Sequence, residues 1–135
     1  HEQVNGTLYL FIQDSIEWLD HAKGAIANFH IVFMIQLSFH LGFMPNIESG
    51  MSGDYFDLVD GCFAAHVPSH VHYLNKEDSM RLVSLFRLDY KTMHLYTMSR
   101  MERNRCVEVI LEYYKLHLPD FPEMKSFSVL QELFA

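Results

Sequence analysis

The sequence predicts a mainly α-helical, bundle-like domain that carries one small β-hairpin and loop insertion. Apolar residues recur at helical spacing in four segments, and residues that begin or end helices flank these segments. The helical period breaks at residues 46–73, where turn-forming residues and short aromatic runs replace it. With 135 residues, of which 50% are hydrophobic, the chain is large enough to form one domain with its own core.

Three helices are predicted in the first 88 residues. Gly42 suits the left-handed position after the second of them, and Pro45 prevents that helix from continuing. Asn and Thr side chains can accept hydrogen bonds from the first backbone N–H groups of a helix. The capping residues predicted on this basis are Asn5 or Thr7 for the first helix, Asn28 for the second and Asn75 for the third.

Residues 46–73 are predicted to form the insertion. Asp60 and Gly61 lie between two short runs of aromatic and apolar residues, which is typical of a hairpin turn. His66, His70 and His72 follow, but no Asp or Glu stands between His66 and Glu77 to complete a ligand set. We therefore interpret these three as surface histidines and predict no metal site.

The segment from Ser99 to His117 has the strongest helical pattern. Ser99 and Glu102 have the spacing of a capping box, in which each side chain accepts from the other residue's backbone N–H. Pro119 ends the helix because it has no N–H to donate. The face predicted to be buried comprises Val107, Ile110, Leu111, Tyr114 and Leu118.

The sequence contains none of the usual catalytic patterns. A Gly-rich phosphate loop, a His-Glu-x-x-His motif and a Gly-x-Ser-x-Gly elbow are all missing, so we predict no catalytic residues and no cofactor. Cys62 and Cys106 are too few for a disulfide framework and are interpreted as reduced. No run of about 18 apolar residues is present, and we predict a cytoplasmic protein.

The charge is acidic and uneven. The formal net charge is −7, and residues 1–75 contain only Lys23 as a basic residue. Nucleic-acid binding draws much of its affinity from neutralising phosphates. The chain alone is therefore a poor candidate for tight binding to nucleic acid.

Two patches resemble a known family. The stretch from Tyr113 to Phe134, with its Tyr-Tyr, His-Leu and Lys-Ser steps before a Leu-rich end, resembles the C-terminal end of the bacterial recombination mediator RecO in its Bacteroides-type form. The stretch from Phe29 to Pro45, which ends in Leu-Gly-Phe-Met-Pro, resembles the family's helix that ends in Leu-Gly-Phe-x-Pro. The two patches together cover roughly a third of the chain.

The resemblance implies a function in DNA repair and recombination. In this family the whole protein anneals single strands and helps to load the recombinase RecA. The implied partners are RecR and the acidic, Phe-ended tail of the single-stranded-DNA-binding protein. RecO proteins begin with an oligonucleotide-binding barrel, and nothing here resembles one. We therefore expect residues 1–135 to be the single helical domain, with single-stranded DNA contacted mainly by the barrel outside this chain.

The resemblance also implies a metal site that this sequence cannot build in the usual way. The family's insertion usually binds zinc through four cysteines in two pairs, but only Cys62 stands in this region. We therefore expect a small hairpin without metal in place of the zinc-binding region.

One place on the helix predicted from Ser99 to His117 fits the implied peptide partner. Arg100 and Arg103 lie seven and four residues before Val107, so they extend its apolar stripe toward the helix N-terminus. Arg can hold a carboxylate through two hydrogen bonds, and the helix N-terminus adds partial positive charge. The candidate partner-binding residues are Arg100, Arg103, Val107 and Ile110, with the last two lining a slot for the Phe ring. Other interpretations remain. The arginines can simply be solvated, or they can pair with Glu102 and other acids, and the chain can be an unrelated helical protein-interaction or regulatory subunit.

Overall fold

The chain forms a mainly α fold with a small β insertion, as predicted. The computed structural model describes residues 2–48 and 54–118, and within them four α-helices and one three-stranded antiparallel sheet are found. The helices are α1 (Glu2–His21), α2 (Phe29–Leu41), α3 (Lys76–Phe86) and α4 (Arg100–His117). The strands are β1 (Tyr55–Asp57), β2 (Cys62–Ala64) and β3 (Tyr73–Leu74). Pro119 and the Leu-rich end of the stretch that resembles the family lie outside the described residues.

The first helix begins earlier than its predicted caps. α1 starts at Glu2, so Asn5 and Thr7 lie inside it. Gly6 between them costs only about 1 kcal/mol relative to Ala and does not stop the helix. α1 packs against α2 through stacked rings, among them Phe11 against Phe33 with ring centroids 5.4 Å apart. None of the described helices is long and apolar enough to cross a membrane.

Asn28 stands before α2 but does not cap it through its side chain. Its Nδ2 donates instead to the carbonyl oxygens of Met93 and Tyr96, at 2.9 and 2.8 Å. The amide therefore ties the start of α2 to the loop between α3 and α4. At the other end of α2, Gly42 adopts φ 90°, the left-handed conformation that the sequence predicted.

The predicted hairpin is confirmed. β1 pairs with β2 in the register Phe56 to Phe63, and β3 pairs with the other edge of β1, with Leu74 opposite Phe56. Gly61 in the turn has φ 70°, and a Cβ at this position would lie 3.1 Å from the hydroxyl of Tyr113. Glycine thus permits both the turn and the close approach of α4.

Both predicted caps after the insertion are confirmed. Asn75 Oδ1 accepts from the Asp78 N–H at 2.8 Å at the start of α3. At the start of α4, Ser99 Oγ accepts from the Glu102 N–H at 3.1 Å, and Glu102 Oε1 accepts from the Ser99 N–H at 2.8 Å. A 3-10 turn, Met93–Leu95, lies in the connection between the two helices.

The core brings the insertion and the helices together. Buried residues of β1 and β3 pack with α3 and α4, and the buried face of α4 continues onto α2. The insertion is therefore part of the core. The cluster shared by the sheet, α3 and α4 comprises Phe56, Leu58, Leu74, Leu82, Val109 and Tyr113.

Candidate partner-binding site

Arg100 and Arg103 lie in the first two turns of α4. Arg100 is exposed, whereas Arg103 is half-buried. Arg103 Nη1 donates to the carbonyl oxygen of Met98 at 2.8 Å, so its guanidinium is held against the loop that precedes the helix. The pKa of His30 is lowered, mainly because the ring is buried and secondarily because of the positive charge of Arg103. One arginine of the pair is thus fixed in place and the other is open to solvent.

Neither arginine has an ion-pair partner within residues 2–48 and 54–118. The carboxylate of Glu102, the partner considered from the sequence, instead accepts from the Ser99 N–H and lies 3.0 Å from Arg81. Glu102 is thus engaged by Ser99 and Arg81 and by neither Arg100 nor Arg103.

Val107 and Ile110 do not form an open slot in this structure. Both belong to the core, with 4% and 5% of their surface exposed, because α2 packs over this face of α4. An apolar cavity of about 20 Å³ lies beside Ile110. This is room for about one water molecule. A Phe ring cannot enter there unless α4 moves away from its neighbours.

Two exposed apolar side chains lie in the first turn of α4 and in the loop before it. Met101, next to Arg100 in the chain, is 82% exposed, and Leu95 in the 3-10 turn is 72% exposed. The helical period marks Met101 only as a residue off the buried stripe, and it says nothing about an irregular segment such as the one that holds Leu95. Met101 gives the first turn of α4 exposed apolar surface next to the positive charge of Arg100.

The insertion is held by a polar network around a buried carboxylate. Asp57 is only 6% exposed, and its Oδ1 accepts from the backbone N–H groups of Val59 and Asp60 at 2.9 and 3.1 Å. His70 Nε2 lies 3.0 Å from the same carboxylate. Burial would raise the pKa of Asp57, but the hydrogen bonds from Asp60, His70 and Val59 outweigh it and lower that pKa.

Further contacts join the insertion to α4. His72 Nδ1 lies 2.8 Å from Glu112 Oε1, and the His72 backbone N–H donates to His70 Nδ1 at 3.0 Å. His117 Nε2 donates to the carbonyl oxygen of Leu58 at 2.6 Å. The interpretation as surface histidines therefore fits the exposed His66, but His70 and His72 are bonded to carboxylates.

The residues present do not fit the zinc site that the resemblance implies. Zinc in a closed structural site takes four ligands, usually Cys and His. The whole chain has two cysteines, and Cys106 lies buried in α4. His70 uses both ring nitrogens in hydrogen bonds. Within the described part of the chain, no group of three or more His, Cys, Asp or Glu residues could hold a metal ion.

Comparisons with known proteins give a consistent family match. The family model described as "Recombination protein O C terminal" matches residues 1–126. The "DNA repair protein RecO" of Bacteroides fragilis is 48% identical over 134 residues, which are 98% of this chain and 55% of that protein. The protein of the same name from Phocaeicola vulgatus is 46% identical over 134 residues, 99% of this chain and 56% of that protein. No solved structure matches the chain significantly.

Proposed function

The chain belongs to the recombination protein O C-terminal family, and from this premise we propose that it is the helical, protein-binding part of a DNA repair and recombination mediator. The family match over residues 1–126 carries this proposal. It also removes the alternative of an unrelated helical subunit. The role is one of binding and not of catalysis, in keeping with a sequence that has no catalytic motif.

The activity proposed here belongs to a longer protein. The chain spans about half the length of the curated relatives it matches. Strand annealing and help in loading the recombinase are thus proposed for the whole protein. In the whole protein, an oligonucleotide-binding barrel supplies most contacts with single-stranded DNA. This acidic chain supplies the surface on which RecR and the single-stranded-DNA-binding protein dock.

We propose the start of α4 as the place where the acidic, Phe-ended tail of the single-stranded-DNA-binding protein docks. Arg103 is positioned by Met98 and Arg100 is exposed, and no acidic residue of the described chain pairs with either. A guanidinium can bind a terminal carboxylate through two parallel hydrogen bonds, and the N-terminus of α4 adds to the attraction.

The Phe ring has two possible contacts. Met101 and Leu95 offer exposed apolar surface without any rearrangement. The slot at Val107 and Ile110 that the sequence predicted would open only if α4 moved from α2, which would uncover buried apolar area and cost free energy. A Met101→Ser variant distinguishes these two positions of the Phe ring. It should weaken binding of the peptide only if the ring lies on the exposed surface at Met101.

The mediator role predicts a specific behaviour of the full-length protein. It should speed the annealing of complementary strands coated with single-stranded-DNA-binding protein. A variant with Arg100→Ala and Arg103→Ala should still anneal bare strands but lose the acceleration on coated strands, because only docking to the coat is impaired. Fluorescence-based annealing assays measure both. Failure of the wild type to anneal would overturn the role, and equal loss on both substrates would overturn the docking site.

A further inference from the structure

We propose that two imidazole–carboxylate pairs, Asp57 with His70 and Glu112 with His72, hold the insertion together and fasten it to α4, in place of a structural zinc. A structural metal stabilises a small loop-rich region by joining segments that are distant in sequence. The two pairs join segments 13 and 40 residues apart. They therefore provide the cross-links that the missing cysteines would provide through a metal.

The pair of Asp57 and His70 is the inner one. The side chain of Asp57 is 8% exposed and that of His70 is 32% exposed. The Asp57 carboxylate binds two segments. It accepts from the backbone N–H groups of Val59 and Asp60 in the turn after β1, and it contacts His70 in the loop before β3. A buried carboxylate needs several donors, because each missing one leaves a desolvated charge without compensation. Loss of His70 should thus loosen both the turn and the loop.

The pair of Glu112 and His72 is the outer one. The side chains are 38% and 40% exposed, so water screens their attraction. This pair nevertheless joins the loop before β3 directly to the C-terminal half of α4. We expect it to contribute less to stability than the inner pair.

The geometry determines which ring nitrogens carry protons. His70 Nδ1 accepts from the His72 backbone N–H, so in the neutral ring the proton is on Nε2, which donates to Asp57. A carboxylate only accepts hydrogen bonds, so His72 must carry a proton on Nδ1, which faces Glu112. His70 is therefore left without a lone pair for a metal.

The first test is the tautomer of His70, read from its ring nitrogens by long-range ¹H–¹⁵N NMR spectra of the chain at neutral pH. The spectra should show His70 with a proton on Nε2 and a bare Nδ1, and His72 with a proton on Nδ1. An Asp57→Asn variant places an amide donor within reach of His70 Nε2, so the His70 tautomer should change or its signals should broaden. If the wild-type spectra show a mixture of His70 tautomers, and Asp57→Asn does not change that mixture, the proposed pairing of His70 with Asp57 is wrong.

The second test compares melting temperatures with a matched histidine control. His70→Ala should lower the melting temperature by about 5–10 °C, and His72→Ala by about 1–3 °C. His66→Ala, at the exposed histidine of the same loop, should change it by less than about 1 °C. A chelator should shift none of these values. Equal effects of His66→Ala and His70→Ala, or a stoichiometric zinc whose removal lowers the wild-type value, would overturn the proposal. If His70→Ala fails to fold, Asp57→Asn supplies the same comparison.

Discussion

Phe56→Ala lowers the free energy of unfolding by about 3–5 kcal/mol, the largest effect we expect from one substitution in the insertion. Phe56 lies in the central strand of the sheet and is 0% exposed. Its ring packs edge-on against Phe63, with centroids 5.2 Å apart, and it belongs to the cluster that includes Leu82 of α3 and Val109 of α4. Removing the ring leaves a cavity where sheet and helices meet. Urea unfolding measures the loss.

Two further variants make this result interpretable. Val71→Ala, at a residue of the same insertion that is 82% exposed, should change stability by no more than about 0.5 kcal/mol. Phe56→Leu retains most of the volume and should cost less than about 1.5 kcal/mol, which keeps the comparison available if the Ala variant is unfolded. A loss below about 1 kcal/mol for Phe56→Ala would mean that the insertion is an appendage and not part of the cooperative core.

Arg103→Ala weakens binding of an acidic, Phe-ended peptide by about ten- to a hundredfold, or roughly 1.5–3 kcal/mol. Arg103 is half-buried and already positioned by Met98, so its guanidinium loses little freedom when it binds a carboxylate. Arg100 is exposed, and Arg100→Ala should cost less than Arg103→Ala. Calorimetric titration of the peptide into each variant measures both changes.

The matched control is Lys115→Ala, which removes one positive charge about 20 Å away along the same helix. Arg105 contacts Asp78 of α3 at 3.2 Å and Glu108 at 3.7 Å, so Arg105→Ala would also loosen the contact between α3 and α4. If Lys115→Ala weakens binding as much as Arg103→Ala does, general charge attraction explains the binding and a site at α4 does not.

The helices and the hairpin were predictable because their signals are local. The apolar period of α4 predicted a buried face, of which Val107, Ile110, Leu111 and Tyr114 are buried and Leu118 is partly buried. Capping depends on residues three apart, and the turn at Gly61 on a single dipeptide, so both can be read from short stretches. Asn28 failed as a cap because two carbonyl groups more than 60 residues away bind its amide.

The site was only partly predictable, because periodicity shows that a face is covered but not what covers it. Val107 fits an apolar slot on a bare helix, yet α2 fills that space in the folded chain. The pairs of His70 with Asp57 and of His72 with Glu112 depend on how loops meet strands and helices, and no local pattern reports that. Likewise, the ion pair between Glu102 and Arg81 forms because α3 and α4 lie side by side.

The most direct test of the docking proposal is to titrate two forms of one peptide into the wild-type chain. Both forms have an acidic run that ends in Phe, but one has a free C-terminal carboxylate and the other a C-terminal amide. If Arg100 and Arg103 receive the carboxylate, the free acid should bind about tenfold or more tightly than the amide, and Arg103→Ala should abolish most of that difference. Equal affinity of the two forms, or no binding of either, would contradict the proposal.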